Sequence, residues 1–118
     1  MRSLGSRVLA VLGIGTGILI GSFMLRAQPW PDAPDGADLF QKKCSMCHGA
    51  DGKGYAAIKT PDFTDPKVQA SMTDAEMVAI IKNGKKGTPM PAFGDKLTED
   101  EIKALVTFIR SLDSSKKK

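Results

Sequence analysis

The sequence predicts an all-α domain, and three observations carry that prediction. Two capping boxes, Thr73 with Glu76 and Thr98 with Glu101, each open a run of helix-forming residues. Two further start signals stand upstream: Asp35 ahead of an amphipathic stretch, and Asp65 followed by Pro66 at a first helical position. No stretch alternates apolar and polar residues as a half-buried strand does. With 118 residues, 42% hydrophobic and 25% charged, the chain is too short for a multidomain enzyme, a repeat array or a polytopic transporter. Its composition equally opposes wholesale disorder.

Residues 1–27 read as a targeting or membrane segment. Arg2 and Arg7 precede the uncharged run VLAVLGIGTGILIGSFML, residues 8–25, and Arg26 follows it. A basic start places the N-terminus in the cytoplasm and exports the rest, to the periplasm or the outer face of the cytoplasmic membrane. The run would span about 27 Å as a helix, close to the hydrocarbon thickness. It exceeds an ordinary signal core, and no clean cleavage site follows, which favours a retained anchor over a cleaved signal peptide. Residues 28–35, with Pro29, Pro31 and Pro34, form a stiff spacer, in which Trp30 suits either a lipid interface or a packed linker.

Residues 36–112 form the domain, and residues 113–118 a basic tail. A first helix is expected over residues 36–47, with Leu39 and Phe40 on its apolar side. A short helix runs from Pro66 to about residue 70. The third follows Thr73, with Met72 and Met77 at staple positions, and stops at Asn83 and Gly84 as in a left-handed cap. The fourth follows Thr98, stapled by Leu97 and Ile102. It carries Ile102, Leu105, Val106, Ile109 and Leu112 on one face, with acids in its first turn and Arg110 in its last.

Charge excludes one class of partner. The chain is +4 overall, but residues 28–118 hold 14 basic against 13 acidic groups, and the excess sits in the terminal lysines. No basic stripe with interleaved aromatics is present, so nucleic acid is not an expected partner.

The chemistry concentrates in Cys44-Ser45-Met46-Cys47-His48. These are the chain's only two cysteines and its only histidine, and C-x-x-C-H is the pattern of covalent haem attachment. At a helix end, positions i, i+3 and i+4 share a side, so two sulfurs can bond the haem vinyl groups while the imidazole reaches the iron. Gly49, Gly52 and Gly54 follow, allowing tight turning beside a flat ring. Other readings fit less well. Structural zinc wants a fourth ligand, a thioredoxin-like motif wants a βαβ context, and a disulfide leaves His48 without a role.

Haem iron needs a second axial ligand, and methionine is the natural donor where no second histidine exists. Met1 and Met24 lie in the leader, Met46 is too near His48 to pass round the ring, and Met72 and Met77 are packing residues. Met90 sits between Pro89 and Pro91 in a stiff extended loop; packing beside Phe93 is its alternative role. Lys53, Lys59, Lys82, Lys85 and Lys86 either line the haem edge and steer an acidic partner or serve solubility.

Over residues 36–112 the chain resembles the small single-haem class I cytochromes c. The resemblance rests on CSMCHG, HGADGKG, TPMPAFG and LTEDEIKALVTFIRSL. It implies three main helices plus a short one wrapped around one covalently bound haem c, with Cys44 and Cys47 as thioether attachments. It implies His48 as proximal and Met90 as distal iron ligand, and a crossing of first and last helices where Gly36 and Phe40 meet Leu105 and Phe108. The function it implies is one-electron transfer between redox partners such as a respiratory oxidase, reductase or dehydrogenase. A free carrier and a membrane-tethered donor or subunit fit equally. A haem enzyme or gas sensor would require Met90 to leave the iron.

Overall fold

The computed structural model describes residues 33–117. The N-terminal apolar run, Trp30 and most of the proline spacer lie outside them. Among the described residues there is no strand, and no helix is long and apolar enough to cross a membrane.

Five helices follow one another: α1 (Gly36–Lys43), α2 (Ser45–His48), α3 (Pro66–Ala70), α4 (Asp74–Asn83) and α5 (Glu99–Ser111), with 3-10 turns at Ala56–Ile58 and Ser114–Lys116. Each main helix starts where its side chains can satisfy free backbone amides. Asp35 accepts from the amides of Ala37 and Asp38. Both capping boxes close: Thr73 N–H donates to Glu76 Oε2 at 2.7 Å, and Glu76 N–H returns to Thr73 Oγ1 at 3.2 Å. Thr98 and Glu101 repeat the pair at 2.7 and 3.2 Å.

The first helix differs from its sequence expectation. Instead of running unbroken over residues 36–47, it breaks at Cys44, where φ is −119° and ψ −30°. At the break, Ser45 Oγ donates to the Gln41 carbonyl at 2.6 Å, a back-bond that weakens a helix locally. The chain then restarts as α2, with the Cys47 and His48 amides both on the Cys44 carbonyl. The 3-10 turn at Ala56–Ile58 lacks a side-chain cap and has no counterpart in the sequence reading.

The core is one cluster built where α1 crosses α5 and α4 runs against α5. Phe40, Ile102 and Leu105 are fully buried at its centre. The Phe40 and Phe108 rings meet at 5.2 Å, as the expected helix crossing requires. Gly36 makes that crossing close: a Cβ there would overlap the Ala104 carbonyl and come within 3.1 Å of Phe108 Cβ.

Arg110 binds three segments together. Its Nε donates to Asp74 Oδ1 at 2.7 Å, Nη1 to the Gln69 carbonyl and side chain, and Nη2 to the Met72 carbonyl. At the C-terminal end, Asp113 is buried and accepts from the Ser115 amide at 2.9 Å, while the Ser114 amide donates to the Thr64 carbonyl at 3.0 Å.

Candidate functional site

A cleft of about 500 Å³ opens beside α2, within the range of small-ligand and cofactor sites. Its walls come from three stretches: the C-x-x-C-H segment, residues 57–61, and the loop from Lys85 to Phe93. A smaller cavity of about 80 Å³ lies against the core and shares Cys44, His48, Pro61, Lys85 and Met90 with the larger one. The structure thus brings Cys44, Cys47, His48 and Met90 to one cleft from distant parts of the sequence.

The first wall is held by the break at Cys44 and the turn after His48. Gly49, Gly52 and Gly54 all take positive φ, and the Gly54 amide donates to the His48 carbonyl at 2.8 Å. No disulfide joins the two cysteines; Cys44 is half-buried and Cys47 exposed. Burial, with a contribution from neighbouring Cys47, pushes the Cys44 thiol up to about 11, so it stays protonated at neutral pH. Burial also lowers the His48 pKa, which favours the neutral imidazole that metal ligation needs. His48 Nδ1 is buried without a hydrogen-bond partner among the described residues.

The opposite wall is a loop sewn to the end of α4. The Phe93 amide donates to the Ile81 carbonyl at 2.9 Å and the Gly94 amide to the Lys82 carbonyl at 3.0 Å, satisfying carbonyls that a helix end leaves open. Gly84 makes the turn with φ +74° and ψ 176°. This is an extended mirror conformation rather than the left-handed cap expected from Asn83-Gly84. A Cβ at Gly84 would lie 2.9 Å from the Met90 carbonyl, so loop and helix end meet too closely for any other residue. Met90 is half-buried, packs against the core, and lines both cavities. Met72 and Met77 line only the smaller one, Met77 at 4% exposure, in keeping with their role as packing residues.

The lysines sort differently from their sequence reading. The charged residues lining the cleft are Lys42, Lys43, Lys59 and Lys85, with no carboxylate among them. Lys42 is paired with Asp38 at 2.7 Å; Lys43, Lys59 and Lys85 have no ion pair among the described residues. Lys82 is tied to Glu99 at 3.0 Å, and Lys53 and Lys86 are not part of the lining. Exposed Met46 and Ile58 add an apolar centre to this cationic rim.

Two neighbours of His48 carried no local signal. Phe63 stacks on the imidazole at 4.9 Å, and Gln69 is buried behind it. Only the tertiary fold brings residues so far from the C-x-x-C-H segment to its side.

A covalently attached iron porphyrin fits this donor set. Two thiols three residues apart sit beside an apolar cleft, with an imidazole and a thioether, both competent haem ligands, on its lining.

The comparisons agree with that geometry. A family model described as cytochrome c oxidase, cbb3-type, subunit III matches residues 31–109. The chain is 37% identical over 82 residues to the cbb3-type cytochrome c oxidase subunit FixP of Azorhizobium caulinodans, covering 70% of this chain and 28% of that protein. It therefore spans under a third of the length of such relatives. It is 32% identical over 109 residues to cytochrome c6 of Gloeothece citriformis, covering 92% and 93% of the two chains. Among solved structures, the KustC0563 c-type cytochrome superposes with a TM-score of 0.62 at 33% identity, over 67% of this chain and 98% of that one. Cytochrome cL from Hyphomicrobium denitrificans gives 0.57 at 28% identity, over 69% and 47%. The chain belongs to the class I c-type cytochromes, as the domain described by the cbb3-type subunit III model, a family whose cofactor is covalently bound haem c.

Proposed function

We propose that the chain is an exported one-electron carrier in which Cys44 and Cys47 hold haem c through thioether bonds and His48 and Met90 occupy the two axial positions of its iron. The single observation that carries this reading is the shared lining: of the methionines near the core, Met90 alone borders both cavities beside His48. When bound, the haem supplies the Fe(III)/Fe(II) couple. The protein supplies the setting. A thioether ligand and apolar walls disfavour the more highly charged oxidised state and raise the potential. Filling both axial positions leaves no place for substrate, which suits transfer rather than catalysis.

The cationic rim of Lys43, Lys59 and Lys85 around exposed Met46 and Ile58 suits a redox partner with an acidic surface, which it would steer electrostatically. Residues 8–25, flanked by arginines, support export and an N-terminal anchor. The likeness to cbb3 oxidase FixP subunits supports a second form of the same reading, a tethered donor or subunit serving a respiratory complex. A tether would raise the local concentration near its partner.

Redox titration of the haem-loaded protein tests the ligand assignment. The wild type should follow a one-electron Nernst curve, and Met90→Ala should lower the midpoint. An unchanged midpoint would remove Met90 from the iron.

A further inference from the structure

Three methionines of the described residues are tucked into the fold, and a fourth is not. Met77 is 4% exposed, and Met72 and Met90 are half-buried and packed against the core. Met46 stands 88% exposed. Cys44, Cys47 and His48 share one side of their segment at positions i, i+3 and i+4, and Met46 falls off that side. It still borders the cleft, together with Ile58, Lys43, Lys59 and Lys85 and with no carboxylate in the lining. Two of the large apolar side chains that are exposed among the described residues, Met46 and Ile58, therefore share one spot. Clustering of that kind marks a contact surface, where scattered exposure would not.

We propose that Met46 is a peroxide-sensitive modification site whose oxidation to the sulfoxide weakens docking at the cleft mouth. This inference rests on the reading of that mouth as the surface for an acidic redox partner. In the step, the Met46 sulfur attacks hydrogen peroxide and the O–O bond breaks. One oxygen becomes bonded to sulfur, and the other leaves as water with both peroxide protons. Sulfur gives up two electrons and the peroxide takes them. The product is a polar group at the end of a formerly apolar side chain. Burying it against a partner costs what any unpaired polar group costs. The lysine charges are untouched, so steering persists and close contact is what suffers. Methionine sulfoxide is reducible by dedicated reductases, which makes the change reversible. Burial guards the other three thioethers.

The test treats holoprotein with a limiting amount of hydrogen peroxide and follows each methionine by peptide mass spectrometry. Met46 should gain one oxygen about tenfold faster than Met72, Met77 or Met90, with the visible spectrum unchanged. Earlier oxidation of any of those three, or loss of the spectrum first, overturns the inference. Stopped-flow mixing with reduced flavodoxin, an acidic one-electron donor, then reads docking. The sulfoxide form should react about threefold more slowly than untreated protein, with the same salt dependence. Met46→Gln, which carries a polar end permanently, should be slow without peroxide. Met46→Leu should react at the same rate before and after treatment; an equal peroxide-induced loss in Met46→Leu overturns the inference by placing the damage elsewhere. If Lys59→Glu leaves the flavodoxin rate unchanged, the acidic-partner reading and this inference fall together. If Lys59→Glu slows it while Met46 sulfoxide does not, this inference falls alone.

Discussion

Gly84 shows how one backbone position can govern the distal side of the site. Its positive φ and the 2.9 Å approach to the Met90 carbonyl leave no room for a side chain. Gly84→Ala should therefore destabilise the holoprotein by more than about 1 kcal/mol in chemical denaturation and loosen the loop that presents Met90. Gly87→Ala is its control, because that glycine also has positive φ but meets nothing within 4 Å. Equal losses in the two variants would show backbone strain alone at work. At this scale the sequence was unevenly informative. Scarcity singled out Cys44, Cys47 and His48, and flanking prolines singled out Met90, because those signals lie in adjacent residues. Phe63, Gln69, Lys42 and Lys43 gave none. Their proximity to the cleft follows from how the chain folds back, as does the diversion of Lys82 to Glu99.

The helices show the same division between local and tertiary causes. Capping boxes are written within four residues, so α4 and α5 begin where Thr73 and Thr98 place them. Thr98→Ala should cost about 1 kcal/mol, seen as a lowered denaturation midpoint; an unchanged midpoint would make that cap irrelevant to stability. The break at Cys44 was illegible because the helical pattern of residues 36–47 continues through it. Gly36→Ala separates propensity from packing. Alanine favours a helix interior by about 1 kcal/mol over glycine, whereas overpacking costs about 1–3 kcal/mol. The overlap with Ala104 predicts net destabilisation, and a stabilised variant would contradict a close α1–α5 crossing.

Across the whole molecule, charge acts on stability and on encounter separately. Asp62 and Asp113 are held below the usual carboxylate range by hydrogen bonds from Thr64 and Ser115, Glu76 by Thr73, and Glu99 by Lys82. A carboxylate whose folded pKa is depressed contributes stability that is fully present above its unfolded value, 3.8 for Asp and 4.5 for Glu, and lost as pH falls through the folded one. The melting temperature of holoprotein should thus stay level from pH 7 to about 5 and fall below about 4; a steady fall beginning near pH 6 would point to other groups. Encounter depends on the rim instead. Lys59→Glu should slow electron transfer to an acidic partner and weaken its salt dependence, while Lys103→Glu, on α5 away from the cleft lining, should do neither. The central claim is a closed iron held by His48 and Met90, and the visible spectrum of dithionite-reduced holoprotein before and after carbon monoxide tests it most directly. A low-spin spectrum that ignores the gas is the predicted result, and a clear shift on adding it would contradict the account.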